Sequence, residues 1–485
     1  MKMQLTNALL TDLYQLTQAQ AYFINGRTEL EGSFYMHFRA NPFNGGYSVA
    51  CGMQQIVEFL TDFVFTDEDI GYLASLSTSS GAKMFNDDFL AYLGAMRLEL
   101  DIDAVPEGSL VFPYEPIVRV TGPILQAQII ETPLLNQVGF QTLIATRAAR
   151  ICDVAEGPVA EFGLRRAQGP AGGIYASRAA MIGGCASTSN VLAGRLFNVP
   201  VSGTHAHSWV MAYSDELEAF RAYAQAEPDG CILLVDTYDT IQGVQNAIIV
   251  GHEMEGRGQR LFGIRIDSGD LAWLSIRARS LLDEAGLDYV KIVGSNDLDE
   301  YTIKSLHDQG AAFDSWGVGT RLATAYETPA LAAVYKLSAY RNDSRSPWQP
   351  TLKTTEQIEK STLPGVLDVR RYYDSNGVMA GDMIYRLDYA VKDETIVDPH
   401  DEMRQKRLPA NSFKTLLQPL ARKGQIVWPE VSVLDAQANC KTSLASLDPT
   451  CRRFLNPHSY PVGLEPGLFD MRAQLRRKAK GLSPD

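Results

Sequence analysis

The stretch LFGIRIDSGD, Leu261 to Asp270, is a short apolar, β-branched run that breaks into a polar loop with a glycine, and a helical pattern follows it. The same pattern recurs on both sides. VAEFGLRR (159–166), VPVSGTHAH (199–207) and CILLVDTYD (231–239) precede it; VKIVGSND (290–297) and SWGVGTR (315–321) follow. The spacing is roughly 25 to 40 residues, the size of a strand plus a crossover helix in a parallel sheet. No self-similarity accompanies the period, so these are units of one architecture, not sequence repeats. Charged, hydroxyl and glycine residues gather at the C-terminal end of every run, where a parallel barrel builds its active site. An open doubly wound sheet gathers its ligand groups at one switch point instead. The sequence therefore predicts an irregular β/α, TIM-like barrel over residues 131–334.

Outside this region the pattern changes. LTDLYQLTQAQAYF and GMQQIVEFLTDF read as helices, GSFYMHFRA as a strand, and NPFNGGY as a turn, which makes residues 1–130 an α+β segment. After residue 334 alternating runs return, with DSNG (374–377) placed as a hairpin turn. Residues 335–440 are expected to complete the N-terminal domain discontinuously, and 441–485 to form a short helical tail.

Composition narrows the function. The chain has 485 residues, 45% hydrophobic and 21% charged, as in soluble globular proteins. No apolar run is long enough to span a membrane, and the apolar patch near the N-terminus is too short for a signal peptide, so the expected location is cytoplasmic. A formal net charge of -13 argues against nucleic-acid binding. The six cysteines are scattered without any C-x-x-C, which indicates neither structural zinc nor a redox pair.

Several strand-end residues carry chemistry. Arg165 and Arg166 alternate if their strand continues, so one faces the barrel mouth, where a guanidinium suits phosphate or carboxylate. Arg265 and Asp267 stand two apart and point into the same space. They form a self-satisfied ion pair or bind a ligand. GSND (294–297) and GVGT (317–320) are glycine, hydroxyl and amide loops of the kind that cradle phosphate oxygens, although Asp297 is also a good helix cap. Asp236 and Asp239 in VDTYD either hold Mg²⁺ near phosphates or cap the following helix.

The pair His205 and His207 in GTHAHSW points one way on an extended backbone. A metal hydrolase would use such a pair, but divalent metals want further ligands. The remaining histidines, at 37, 252, 307, 400 and 458, lie at no barrel strand end. What remains is a base, a donor or a phosphoryl acceptor, or a packed histidine.

Taken together, TDLYQ (11–15), SFYMHFRANPFNGGY (33–47), EFGLRRAQGPAGG (161–173), STSNVLAG (187–194), GTHAHSW (203–209), LLVDTYDT (233–240), RIDSGDL (265–271), GSNDLDE (294–300) and GVGT (317–320) resemble the nicotinate phosphoribosyltransferase family. The resemblance implies condensation of nicotinate with phosphoribosyl pyrophosphate to nicotinate mononucleotide, coupled to ATP hydrolysis, in NAD biosynthesis. It implies a β/α barrel with a discontinuous α+β domain, a homodimer, Mg²⁺, and ATP as co-substrate. No bound NAD, haem, flavin or zinc is expected.

By the same resemblance His207 is the histidine that ATP phosphorylates, with Ser208 beside it; Gly203, Thr204 and Ser208 bind substrate, and His205 is not required. Phe162 and Tyr14 sandwich the pyridine ring, the tyrosine coming from the other subunit. Arg165 meets a phosphate, Arg265 the pyridine carboxylate, and Asp267 the ribose or metal. Ser295, Asn296, Gly317, Gly319 and Thr320 hold the 5′-phosphate. Two rivals stand beside this reading. One is a nicotinamide phosphoribosyltransferase, which usually places an acid near the amide, whereas MIGGCASTSN (181–190) offers none. The other is a barrel metal-dependent hydrolase.

Overall fold

Gly263–Ile266 is a strand, and Asp270 caps the helix after it, Leu271–Glu284, by accepting from the Trp273 amide at 3.1 Å. Leu271, Leu274, Ala278 and Leu282 recur every three or four residues along that helix and are buried, the stripe an amphipathic helix presents to a sheet. Gly286, with φ of 74°, ends it in the left-handed conformation that glycine adopts without strain. The next strand then runs from Lys291 to Gly294.

The computed structural model describes residues 7–354 and 362–482. The chain divides into a unit of residues 144–329 with 432–437, and a unit of residues 1–143, 330–431 and 438–485.

The first unit holds the repeated pattern. Its strands are β1 (Val159–Glu161), β2 (Ser187–Thr188), β3 (Ile232–Leu234), β4 (Gly263–Ile266), β5 (Lys291–Gly294) and β6 (Ser315–Val318). They form one six-stranded sheet in the order β2-β1-β6-β5-β4-β3, every neighbour parallel. Helices Thr240–Gly256, Leu271–Glu284 and Glu300–Asp308 make the successive crossovers from β3 to β6. Among the described residues no ladder joins β2 to β3, so the sheet is open between them.

The expected closed barrel is therefore not formed by backbone ladders among the described residues. VPVSGTHAH, expected as the strand that fills this opening, contributes a single bridge from Val201 to Thr188. Pro200 has no amide to give, and from His207 the chain turns into a helix, His207–Met211. No helix among the described residues is long and apolar enough to cross a membrane.

The second unit is α+β. Its seven-stranded sheet interleaves early and late segments in the order 349–350, 334–341, 31–37, 118–123, 101–104, 418–422 and 425–426. Glu31–His37 is buried on nearly every residue instead of alternating, because antiparallel neighbours flank it on both sides and a large apolar core packs on it. DSNG turns the hairpin between Leu367–Tyr373 and Met379–Arg386. The C-terminal segment is more than a helical tail. Val462–Leu464 inserts as a strand beside Met379–Arg386 in a second, six-stranded sheet before the last helix, Pro466–Ala479.

Candidate active site

The C-terminal ends of β1, β3 and β4 and the segment after β2 enclose a cavity of about 320 Å³ in the first unit. Phe162, Arg165, Thr204, His207, Arg265 and Asp267 all line it, as does Gly203.

Arg265 projects from β4, and its guanidinium is held from three sides. Nε donates to Ser295 Oγ at 2.9 Å, Nη1 donates to Thr204 Oγ1 at 2.7 Å, and Nη2 lies 3.2 Å from Asp267 Oδ1. A guanidinium has five N–H donors, so two remain for a ligand. Ser295 also donates to Asp267 Oδ1 at 2.6 Å, which fixes acid and base as one unit. The pair is thus partly self-satisfied and partly open, and neither alternative read from the sequence is complete by itself.

Phe162 follows β1 and lies under this cation, with the Arg265 guanidinium carbon 5.9 Å from its ring centroid. Gly317 on β6 makes room for the ring: a Cβ there would stand 2.6 Å from the Phe162 ring edge. Gly317 is therefore needed for packing of the aromatic platform. By contrast, a side chain at Gly203 would meet open space.

Arg165 and Arg166 do not continue a strand. They sit in the 3₁₀ turn Leu164–Arg166, both exposed, because the strand stops at Glu161. Glu161 is the residue that sequence reasoning missed. Its side chain is fully buried and accepts from the Gly163 amide, from Ser177 Oγ at 2.8 Å and from Thr188 Oγ1 at 2.6 Å. It ties the turn carrying Phe162 and Arg165 to a helix and to β2. Its buried oxygens are thereby hydrogen-bonded instead of bare. The signal was an acid inside an apolar run, V-A-E-F.

The two histidines part company. His207 opens the helix His207–Met211; its Nδ1 lies 3.1 Å from Thr237 Oγ1 and its Nε2 3.9 Å from Asp267 Oδ2. Ser208 is exposed beside it. His205 is buried, and its Nε2 accepts from the Leu234 amide at 3.1 Å while Nδ1 faces the Ala206 carbonyl. Burial holds this imidazole below the usual histidine range. With both nitrogens engaged, His205 has no lone pair for a metal, so the paired-ligand geometry expected of a metal hydrolase is absent here.

The two aspartates of VDTYD also differ. Asp239 caps Thr240–Gly256 by accepting from the Gln242 amide at 2.8 Å. Asp236 Oδ2 accepts from the Asp267 amide at 3.0 Å and from Ser268 Oγ at 2.6 Å; its Oδ1 is buried without a partner among the described residues. No group of three or more His, Cys, Asp or Glu among the described residues is arranged to enclose a metal.

In the GSND loop Asn296 and Asp297 take positive φ, 96° and 37°, and both are exposed. The cap of the following helix is Asp299, not Asp297. Thr320 starts the short helix Thr320–Ala323, and a Cβ at Gly319 would press on the Phe162 carbonyl at 3.2 Å. Arg321 Nη1 donates to Asp299 Oδ2 at 2.8 Å and ties the two loops together. Tyr14 belongs to the other unit, on the helix Leu13–Ile24, where its side chain is half exposed. Burial is the main cause that pushes its phenol up to about 12.

Known proteins match the chain over nearly its whole length. Family models for nicotinate phosphoribosyltransferase match in three parts: the N-terminal domain over residues 9–139, the family's central model over 158–346, and the C-terminal domain over 368–472. The chain is 42% identical to nicotinate phosphoribosyltransferase of Bacillus subtilis (strain 168), covering 98% of this chain and 96% of that one. It is similar in structure to human nicotinic acid phosphoribosyltransferase, with a TM-score of 0.83 at 32% identity over 96% of this chain and 99% of that one. Nicotinate-nucleotide pyrophosphorylase from Pyrococcus furiosus shares the fold, with a TM-score of 0.69 at 21% identity over 90% of this chain and 95% of that one. The chain belongs to the nicotinate phosphoribosyltransferase family, enzymes of NAD biosynthesis.

Proposed function

We propose that this cavity joins nicotinate to 5-phosphoribosyl 1-pyrophosphate, and that ATP drives the reaction through a phosphohistidine at His207. The observation that carries the reading is the convergence on one cavity of Phe162 after β1, Arg265 on β4 and His207 at the start of a helix. The pyridine ring stacks on Phe162, and its carboxylate takes the two N–H groups that Arg265 has left. The 5′-phosphate is held by Arg165 with the loops of Ser295, Asn296, Gly317, Gly319 and Thr320. Asp267 orients the ribose.

The chemistry asks little of the protein as nucleophile. Pyrophosphate departs, C1 of the ribose becomes cation-like, and the pyridine nitrogen attacks it. Positioning and fixed charge supply the catalysis. Mg²⁺, when bound, neutralises the phosphate charge. Asp236 and Asp267 suit this ion. Asp236 keeps a buried, unpartnered oxygen, and one or two carboxylates with phosphate oxygens and water suffice to hold Mg²⁺. Asp239 caps its helix through one oxygen and leaves the other for the ion.

Thr237 holds Nδ1 of His207, so Nε2 is the nitrogen left to attack the γ-phosphorus of ATP, with ADP leaving. The phosphorylated side chain then acts as an energy switch and carries no ribosyl group. The active form is a cytoplasmic homodimer in which Tyr14 of one protomer covers the pyridine in the cavity of the other. Its half-exposed ring supports that role.

Incubation with γ-labelled ATP tests the switch. A label stable in base, labile in acid and confined to the peptide containing His207 is expected. Label on another residue, or none, contradicts the assignment.

A further inference from the structure

His205 lies outside the roles assigned so far, yet it occupies the one break in the parallel sheet. Leu234 ends β3, the edge strand. The Val235 amide points to β4, donating to the Arg265 carbonyl at 3.1 Å, so alternation turns the Leu234 amide outward, to the free edge. On the far side of the break, the Ser202 amide donates to the Thr188 carbonyl at 3.0 Å, and there the ladder stops. Between these edges the backbone offers Leu234 no carbonyl. The imidazole of His205 offers Nε2 instead, at 3.1 Å.

The surroundings hold the ring in that position. It is 7% exposed and packs edge-on against Tyr223 at 4.6 Å, with Phe220 at 6.2 Å, both on the helix Glu216–Ala226. Nδ1 faces the Ala206 carbonyl at 3.4 Å and carries the proton, so Nε2 presents its lone pair to the amide. An amide left unpaired in such a place is costly, which makes the acceptor at this position specific.

The neighbours of His205 give the contact its consequence. One residue before it, Thr204 accepts from Arg265; two residues after it, His207 meets Thr237, itself three residues beyond Leu234. We propose that His205 is a positioning residue: by standing in for the missing strand partner of Leu234, it sets the register of Thr204 and His207 against Arg265 and Thr237. The effect on ATP coupling rests on the phosphohistidine reading above; the hydrogen bond itself does not.

Three variants test this. His205→Phe keeps a ring against Tyr223 and removes the acceptor, His205→Gln restores an acceptor at similar reach, and His205→Asn falls short by one methylene. Hydrogen exchange of the peptide covering residues 231–237 is expected to speed up roughly tenfold or more in His205→Phe and His205→Asn, and to stay near wild type in His205→Gln. The ATP-stimulated kcat is expected to fall about tenfold in His205→Phe and His205→Asn, with KM for nicotinate moving less than about threefold, and to recover in His205→Gln. Should His205→Phe fail to fold, the Gln and Asn pair carries the comparison alone. Unchanged exchange and kcat in the variants lacking the acceptor, or a His205→Gln enzyme as impaired as His205→Asn, overturns the proposal. If the wild-type enzyme takes no label at His207 while exchange and kcat still follow the acceptor, the phosphohistidine reading fails and the positioning role stands.

Discussion

Replacing His207 with alanine is expected to abolish stimulation by ATP while a slow, ATP-independent condensation persists. The groups assigned to forming the bond between the pyridine nitrogen and C1 of the ribose, Phe162, Arg265 and Asp267, take none of their hydrogen bonds from His207, so pyridine and ribose still find their places. What goes is the nitrogen that would receive the γ-phosphoryl group. The loss in the ATP-stimulated rate is expected on the order of 10²-fold or more, the range a positioned histidine contributes. The side chain is partly exposed and makes one hydrogen bond, to Thr237, so the fold should lose only about 1 kcal/mol. Initial rates of mononucleotide formation with and without ATP, beside a thermal melt, check both halves. A variant that ATP stimulates as strongly as wild type contradicts the role of His207.

The second large effect falls on Arg265. Arg265→Gln removes the two free N–H groups that meet the carboxylate and unties Thr204, Ser295 and Asp267 from one another. Truncating one partner of a partly buried, charge-assisted contact costs about 2–4 kcal/mol, so kcat/KM for nicotinate should drop roughly 30- to 1000-fold. Nicotinamide has no carboxylate, so its kcat/KM should fall much less and any preference for nicotinate should narrow. Arg265→Lys should rescue little, because a point charge cannot reproduce a fork that engages three side chains and a ligand together. Parallel kcat/KM measurements on both pyridines decide it. Equal losses for the two would mean that Arg265 only holds the cavity together.

Much of this was legible in the chain, for reasons that differ from residue to residue. The run ending at Asp270 announces a strand, a cap and a helix because apolar period and capping chemistry are local properties, and the structure follows them. That Phe162 and Arg265 meet was legible because parallel strands deliver their C-terminal ends to one side; His207 reaches the same cavity from a helix start instead. The open edge between β2 and β3 was not. VPVSGTHAH has the composition of a strand, but Pro200 withholds an amide and the helix at His207 takes the chain away before a ladder forms. For the same reason the H-x-H spacing misled: it presumes an extended backbone, whereas one imidazole is packed under a helix and the other opens a new one. Glu161 was hidden because the need for its charge lies in Ser177 and Thr188, which are distant in sequence.

The central claim is that this cavity reads a pyridine carboxylate and that ATP drives its ribosylation. It is tested most directly by supplying phosphoribosyl pyrophosphate and Mg²⁺ with nicotinate or nicotinamide, each with and without ATP, and following mononucleotide formation. Product from nicotinate, increased by ATP and accompanied by ADP, with little from nicotinamide, is the predicted result. Nicotinamide used as well as nicotinate, or a rate indifferent to ATP, would contradict it.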